Sequence, residues 1–164
     1  MPARTKLSDT FCPLGRTAEF LGDRAVILIL RELFFKSARF DAITRGTGLG
    51  PQLVSARLKM LEQHDVVERR PYQQRPLRYA YHLTPKGQDL FDILYVMRNW
   101  AEKWAYAPQE VEADYAVQYL HRGCGADVGT EIHCPQCGER LGFGTVKAVL
   151  SPALARERLA KQAV

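Results

Sequence analysis

Leu49-Gly50-Pro51-Gln52-Leu53-Val54-Ser55-Ala56-Arg57-Leu58-Lys59-Met60-Leu61-Glu62-Gln63-His64-Asp65-Val66-Val67 runs directly into Glu68-Arg69-Arg70-Pro71-Tyr72-Gln73-Gln74-Arg75-Pro76-Leu77-Arg78-Tyr79-Ala80-Tyr81-His82-Leu83-Thr84-Pro85-Lys86. The first half reads as a helix opened by Pro51, since the N–H that proline lacks is unpaired anyway at the first helical position. With residues about 100° apart around the axis, Val54, Leu58 and Leu61 form an apolar stripe. Gln52, Ser55, Ala56, Lys59 and Gln63 share the opposite side, which is small, polar and basic and carries no acid. The second half reads as two strands, Val66–Tyr72 and Leu77–Leu83, joined by a proline-marked basic turn at Gln73-Gln74-Arg75-Pro76.

Upstream, Ser37 is placed to cap a helix over Ala38–Arg45, with Phe40 and Ile43 inward and Gly46 at its end. Thr47-Gly48-Leu49-Gly50 then leaves only a tight turn before the Pro51 helix, the punctuation of a helix-turn-helix. A helix-turn-helix followed at once by a basic hairpin is the pattern of a winged helix, in which the second helix enters the major groove and the hairpin lies along the phosphates. Further upstream, Asp23 is a good N-cap for Arg24–Phe35, a helix apolar nearly all round and therefore a core helix. A short helix is expected from Cys12-Pro13 to Leu21, with Ala18 and Leu21 as its candidate buried positions.

Downstream, Thr84-Pro85 opens a helix carrying Leu90, Ile93, Leu94, Met97, Trp100 and Trp104 at spacings of three and four, a stripe about five turns long. Such a stripe can simply pack on its own domain. The helices and hairpin before it already close a small core, however, so it is assigned as the interface of a symmetric dimer, the commonest oligomer and a common form of helix-turn-helix proteins.

The chain has 164 residues, 46% hydrophobic and 25% charged, and a net charge of +5. These values describe an ordered globular protein. The longest apolar run, Ala25 to Leu30, is too short to cross a bilayer, and no apolar run follows the N-terminal basic residues as in an export signal. A cytoplasmic protein without membrane attachment is expected. Residues 1–86 carry a balance of +7 and the remainder −2, so the positive charge sits on the half that holds the candidate DNA-reading helix, as contact with phosphates requires; the alternative is a solvated surface whose composition happens to be basic.

His121-Arg122-Gly123-Cys124-Gly125 and Cys134-Pro135-Gln136-Cys137-Gly138 share one form: ligand, two residues, Cys, Gly. The two-residue gap lets both side chains of each pair reach one ion, and the glycine permits a tight turn whose N–H groups approach sulfur. With strand-like stretches at Thr130–Ile132 and Thr145–Leu150, these knuckles resemble a zinc ribbon. The expected ligands of a closed, structural Zn²⁺ site are His121, Cys124, Cys134 and Cys137. His133 competes for the fourth position but adjoins Cys134. Three unmetallated thiols are the alternative, although some thirty residues with few large apolar side chains would then struggle to fold unaided. A nucleotide-deaminase site needs a His-x-Glu and a proline before its Cys-x-x-Cys; neither is present, and no catalytic residue is assigned.

In their order along the chain, several of these residues resemble the HxlR family of bacterial transcription regulators, which are dimeric winged helix-turn-helix proteins. The resemblance runs from Cys12 to about Trp104. It rests on Cys12-Pro13, Gly22-Asp23-Arg24, Ile27 to Leu33, Arg39-Phe40, and Leu53 with Ser55, Arg57-Leu58-Lys59 and Leu61. It continues through Arg69, Tyr72 and Pro76 to Tyr81-His82-Leu83-Thr84 and Gly87. Ala25, Asp65 and Ala80 stand where the family usually has tryptophan, glycine and glutamate; Asp65 can still adopt a left-handed conformation. The resemblance implies a thiol sensor of oxidants or electrophiles at Cys12, near Arg16 and a helix start, both of which favour thiolate. The competing reading of Cys12 as a small buried hydrophobe is preferred. Arg57 falls on the apolar side of its helix and is expected to pair with an acid such as Glu32 or Glu62 rather than with DNA, because an unpaired buried charge is too costly.

The expected fold is α+β. Residues 1–106 form a winged helix-turn-helix and dimerisation domain, 107–118 a linker, 119–150 the zinc-ribbon-like module and 151–164 a C-terminal tail. The expected function is sequence-specific binding of double-stranded DNA by a homodimer on an inverted repeat, tuned by a small-molecule or electrophile effector. Gln52, Ser55 and Lys59 would read bases, and Arg39, Arg75 and Arg78 would hold phosphates. The alternative is a ribbon-mediated protein-interaction module whose winged domain contacts protein.

Overall fold

The computed structural model describes residues 11–162, and its centre is the helix α2, Arg24–Phe34. Asp23 caps it by accepting a hydrogen bond from the Ala25 N–H at 2.7 Å, and Val26, Ile29 and Leu30 are wholly buried. Around it pack α1 (Pro13–Leu21), α3 (Phe40–Thr47) and α4 (Pro51–Gln63). The α4 stripe of Val54, Leu58 and Leu61 faces α2 in one core with Ile43, Val66, Val67 and Leu83. On α1, Leu21 is buried and Phe20 packs against the same core, but Ala18 is exposed.

Two boundaries differ from expectation around α3. Its N-cap is Arg39, not Ser37, and its C-cap is Gly48 at φ +68°, not Gly46. The chain before α3 stays extended because the Ala38 carbonyl accepts from the Tyr81 N–H at 2.7 Å and Arg39 forms a single bridge to Ala80 on the edge of the wing. The Ser37 hydroxyl turns inward to Glu32. Gly46 lies inside the helix, where a Cβ would collide with the Glu32 carboxylate.

Asp65 does adopt the left-handed conformation, at φ +56°, and releases the chain into the wing. β1 (Val67–Gln74) pairs antiparallel with β2 (Leu77–Leu83), from Val67 opposite Leu83 to Gln74 opposite Leu77, with an irregularity between Pro71 and Gln73. Only Arg75-Pro76 remains as the turn. Thr84 caps the 20-residue helix α5, Pro85–Trp104. After the single turn α6 (Pro108–Val111), β3 (Val117–His121) and β4 (Val146–Leu150) form a second antiparallel pair. Thr130–Ile132, expected as a strand, is turn and bend; β4 pairs instead with β3, which lies just before the first knuckle. The segment expected as a tail forms α7, Pro152–Gln162, which returns to pack on α3. No helix among the described residues is long and apolar enough to cross a membrane.

Candidate nucleic-acid interface and metal-binding cluster

Burial of Val54, Leu58 and Leu61 turns the opposite side of α4 outward, so Gln52, Ser55, Ala56, Lys59 and Gln63 are all exposed. Its first turn begins at Gly50-Pro51 with no acid in it, which leaves the positive end of the helix dipole uncompensated by side chains. Beside this face, Arg75 and Arg78 project from the wing tip, and neither enters an ion pair among the described residues. The other two wing arginines do: Arg69 pairs with Glu62 at 3.0 Å, and Arg70 pairs with Glu68. Arg39, exposed at the start of α3, lies 4.6 Å from the centroid of the Tyr72 ring on β1. Stacking leaves the edge of a guanidinium open to an anion. The six residues expected to meet DNA therefore lie on α4, the wing tip and the α3 entry, all at the surface.

Arg57 is paired, as its position demanded, but with Asp23, at 2.5 Å from Nε to Oδ2. The expected partners were Glu32 and Glu62. Glu62 serves Arg69 instead. Glu32, with no exposed surface, is shared between Arg31 and Arg158 of α7, the latter in a fork of 2.7 and 2.6 Å. Burial alone would push the Glu32 carboxyl up, but the hydrogen bonds and charges of Arg158 and Arg31 outweigh it and hold it below the usual carboxylate range. An acid in so apolar a helix was a visible signal of a buried ion pair; its partner, 126 residues away, was not visible.

In the C-terminal module, one ligand atom from each of His121, Cys124, Cys134 and Cys137 falls in a group no more than 4.8 Å across. His121 Nδ1 is 3.2 Å from Cys124 Sγ and 3.4 Å from Cys137 Sγ, and Cys124 and Cys134 Sγ are 3.5 Å apart. A tetrahedral site with metal–sulfur bonds of about 2.3 Å and metal–nitrogen bonds of about 2.0 Å has edges of roughly 3.5–3.8 Å, so this cluster can hold a metal ion with little adjustment. The ring is oriented from its far side, where Nε2 is 3.1 Å from a Glu139 carboxylate oxygen, the arrangement that fixes a ligating histidine. The Cys134 thiol is itself lowered to about 7: burial opposes ionisation, but the Cys137 and Gln136 N–H groups and the Cys124 thiol favour the thiolate. His133 is exposed, bridges Arg140 and lies outside the cluster.

The stripe on α5 divides. Leu90 and Leu94 pack against the winged core, whereas Ile93, Met97, Trp100 and Trp104 stay exposed, joined by Val96. A third face, not anticipated, holds the C-terminal module. Phe91 and Tyr95 share a core with Val128, Cys134, Leu141 and Val146. Tyr95 donates to the Glu131 carbonyl, Asn99 to that of Thr130, and Arg98 to those of Gly129 and Val117. The Glu102 carboxylate accepts from the Ala116 and Val117 N–H groups at 2.9 Å each. Cys12 is the N-cap of α1 and is exposed, which rules out a buried hydrophobe: α1 meets the core through Phe20 and Leu21 at its other end.

Residues 20–109 match the family model described as HxlR-like helix-turn-helix. An uncharacterized HTH-type transcriptional regulator of Mycobacterium tuberculosis, Rv3095, is 34% identical over 128 residues, covering 78% of each chain. The HTH-type transcriptional regulator YodB of Bacillus subtilis is 34% identical over 100 residues, covering 60% of this chain and 89% of its own. Among solved structures, that of PA1607, described as a candidate transcription factor, superposes with a TM-score of 0.67 and 30% identity. That superposition covers 82% of this chain and 91% of the other, a longer span than the family model matches. The redox regulator HypR in its oxidized form gives 0.52 and 26% identity, covering 56% and 96%.

Proposed function

The chain belongs to the HxlR-like helix-turn-helix family and is a DNA-binding transcriptional regulator of that type, and from that premise we propose that it works as a homodimer on an inverted-repeat operator. The observation that carries this reading is the acid-free outer face of α4 beside the unpaired wing-tip arginines. In the proposed complex Gln52, Ser55 and Lys59 enter the major groove, where glutamine pairs bidentately with adenine and lysine reaches guanine. Arg75, Arg78 and Arg39 hold phosphates, which position the protein without reading sequence. The exposed Ile93, Met97, Trp100 and Trp104 cover their copies in the second subunit, and Leu90 and Leu94 support that surface from the core side.

The ion held by His121, Cys124, Cys134 and Cys137 is proposed to be Zn²⁺ in a structural role. Three thiolates and an imidazole make a closed tetrahedral set for zinc, with no position left for substrate or water. Cys12 is the proposed site of oxidant or electrophile sensing, supported by its exposure and by the likeness to a redox regulator. The reading of the winged domain as a protein-binding module is not favoured, because the outer face of α4 carries no acid and lies beside the wing-tip arginines.

Selection of bound sequences from a random duplex pool tests the proposal. An inverted repeat with half-sites about one helical turn apart, 34–36 Å, is the expected product. Recovery of no preferred sequence, or binding that ignores salt between 50 and 200 mM when phosphate contact demands a steep slope, would overturn it.

A further inference from the structure

Between the winged core and the inner side of the C-terminal module lies a cavity of about 320 Å³. Small-molecule sites generally run from about 300 to 1,000 Å³ and combine aromatic walls with a few polar groups. This cavity has both. Phe34 of α2, Phe91 of α5 and Phe143 of the loop before β4 form its apolar wall, with Phe34 edge-on to Phe91 at 5.5 Å between centroids and 5.7 Å from Phe143. Tyr119 of β3 extends the wall, 6.2 Å from Phe91.

The remaining lining is cationic. Lys36, Arg122 and Lys147 come from three different segments of the chain to the same opening, and all three are exposed. Among the described residues none of them forms an ion pair. Arg122 is held in place by donation from its Nε to the Val146 carbonyl at 2.9 Å, which leaves both its terminal nitrogens for a ligand. Arg158 also lines the cavity, stacked 5.1 Å from the Phe35 centroid, but Glu32 already meets its charge. Among the described residues, no aspartate or glutamate lines the cavity.

We propose that this cavity binds a small aromatic carboxylate, its ring against Phe34, Phe91 and Phe143 and its carboxylate toward Lys36, Arg122 and Lys147. An aromatic wall without cations would take any neutral ring, and cations without the wall would take any anion; together they select a ring that carries negative charge. The lining includes Phe35, Lys36 and Ser37, the link from α2 into the helix-turn-helix, so an occupant touches the segment that leads into α3. The site stands on this geometry and does not depend on the operator proposal.

Calorimetric titration of the full chain in its zinc-loaded form, without DNA, separates the two questions. Benzoate and 2-naphthoate are the probes, with benzamide as the uncharged isostere and inorganic phosphate as the ringless anion. Both carboxylates should bind, and benzamide should bind about tenfold more weakly or worse, a difference of about 1.4 kcal/mol. Lys36→Glu/Lys147→Glu should weaken benzoate by at least about tenfold, since like charges repel. Its thermal midpoint should not change, because both side chains are exposed and unpaired. Absence of binding by either carboxylate would overturn the proposal, as would benzamide or phosphate matching benzoate, or the double variant binding benzoate as well as the parent.

Discussion

Glu32 carries more of the architecture than any other single side chain. It lies at 0% exposure between α2 and α3, its Oε1 and Oε2 take the Arg158 fork, and Arg31 joins them while also donating to the Gly46 carbonyl at 2.8 Å. Removing one partner of a buried pair strands the other, at about 3–5 kcal/mol. Glu32→Ala should lose stability on that scale in urea melts, while Arg158→Ala, which leaves Arg31 in place, should lose less. The pH dependence has a definite sign. The folded carboxyl sits below its unfolded value, so the unfolded state binds more protons as acid is added. The stabilisation is therefore complete above the ordinary glutamate range and disappears as pH falls through the lowered folded value. Glu32→Gln should flatten that acid limb. On the reading face, Gln52→Ala should relax preference at one base per half-site by about 1–3 kcal/mol. Arg75→Ala should instead weaken all sequences alike and lower the salt slope by about one. If the two variants exchanged these behaviours in competition binding, the assigned roles would be wrong.

At the scale of elements, α5 has three faces, of which two are covered within the chain. Leu90 and Leu94 complete the winged core; Phe91, Tyr95, Arg98, Asn99 and Glu102 hold the C-terminal module; Ile93, Val96, Met97, Trp100 and Trp104 remain open. The open set contains two tryptophans at 64% and 66% exposure, and an apolar surface of that kind marks an interaction site. Ile93→Glu/Met97→Glu should therefore give a folded monomer by sedimentation, with unchanged far-ultraviolet dichroism and weakened operator binding. Leu94→Glu should behave differently and destabilise the domain itself, because Leu94 belongs to the core side. A parent protein that sediments as a monomer at micromolar concentration would remove the dimer proposal.

At the scale of the whole molecule, the chain leaves the winged domain through α5, builds the module with the His–Cys cluster against it, and returns along β4 to place α7 on α3. Among the described residues, the only buried apolar side chains between His121 and Val146 are Val128, Leu141 and Val146 with Cys134 beside them, so on the zinc proposal the module should depend on its ion. Thiolates must lose their protons to bind zinc, so chelation or acid should release the ion and open the segment between residues 122 and 145 to protease. The winged core should stay folded. Cys134→Ser should reproduce this state and fail to take up zinc, while His133→Ala should load zinc normally, because His133 lies outside the cluster. A protein with no zinc and a fully protected module would show that its packing on Phe91 and Tyr95 suffices without metal.

Period and punctuation were enough for most of the local structure. Pro51, the Val54–Leu58–Leu61 stripe, Asp23, Thr84 and the knuckle spacing each act over a few residues, and each produces its element wherever the chain goes next. That is why the α4 face, the wing and the four-residue His–Cys cluster were legible. Long-range partners were not. Ser37 reads as a cap until the Glu32 carboxylate reaches it, and α3 starts two residues later than expected because Arg39 bridges Ala80 of the wing. The α5 stripe could not be divided from its spacing, since packing on the core, docking of the module and an open surface all demand apolar residues at three and four. Arg57 had to find an acid, but which acid depended on helix placement; Asp23 lay near, and Glu32 went to Arg158. Local sequence sets which groups must be buried or paired, and only the tertiary fold, by bringing residues more than a hundred positions apart within hydrogen-bond distance, decides with what.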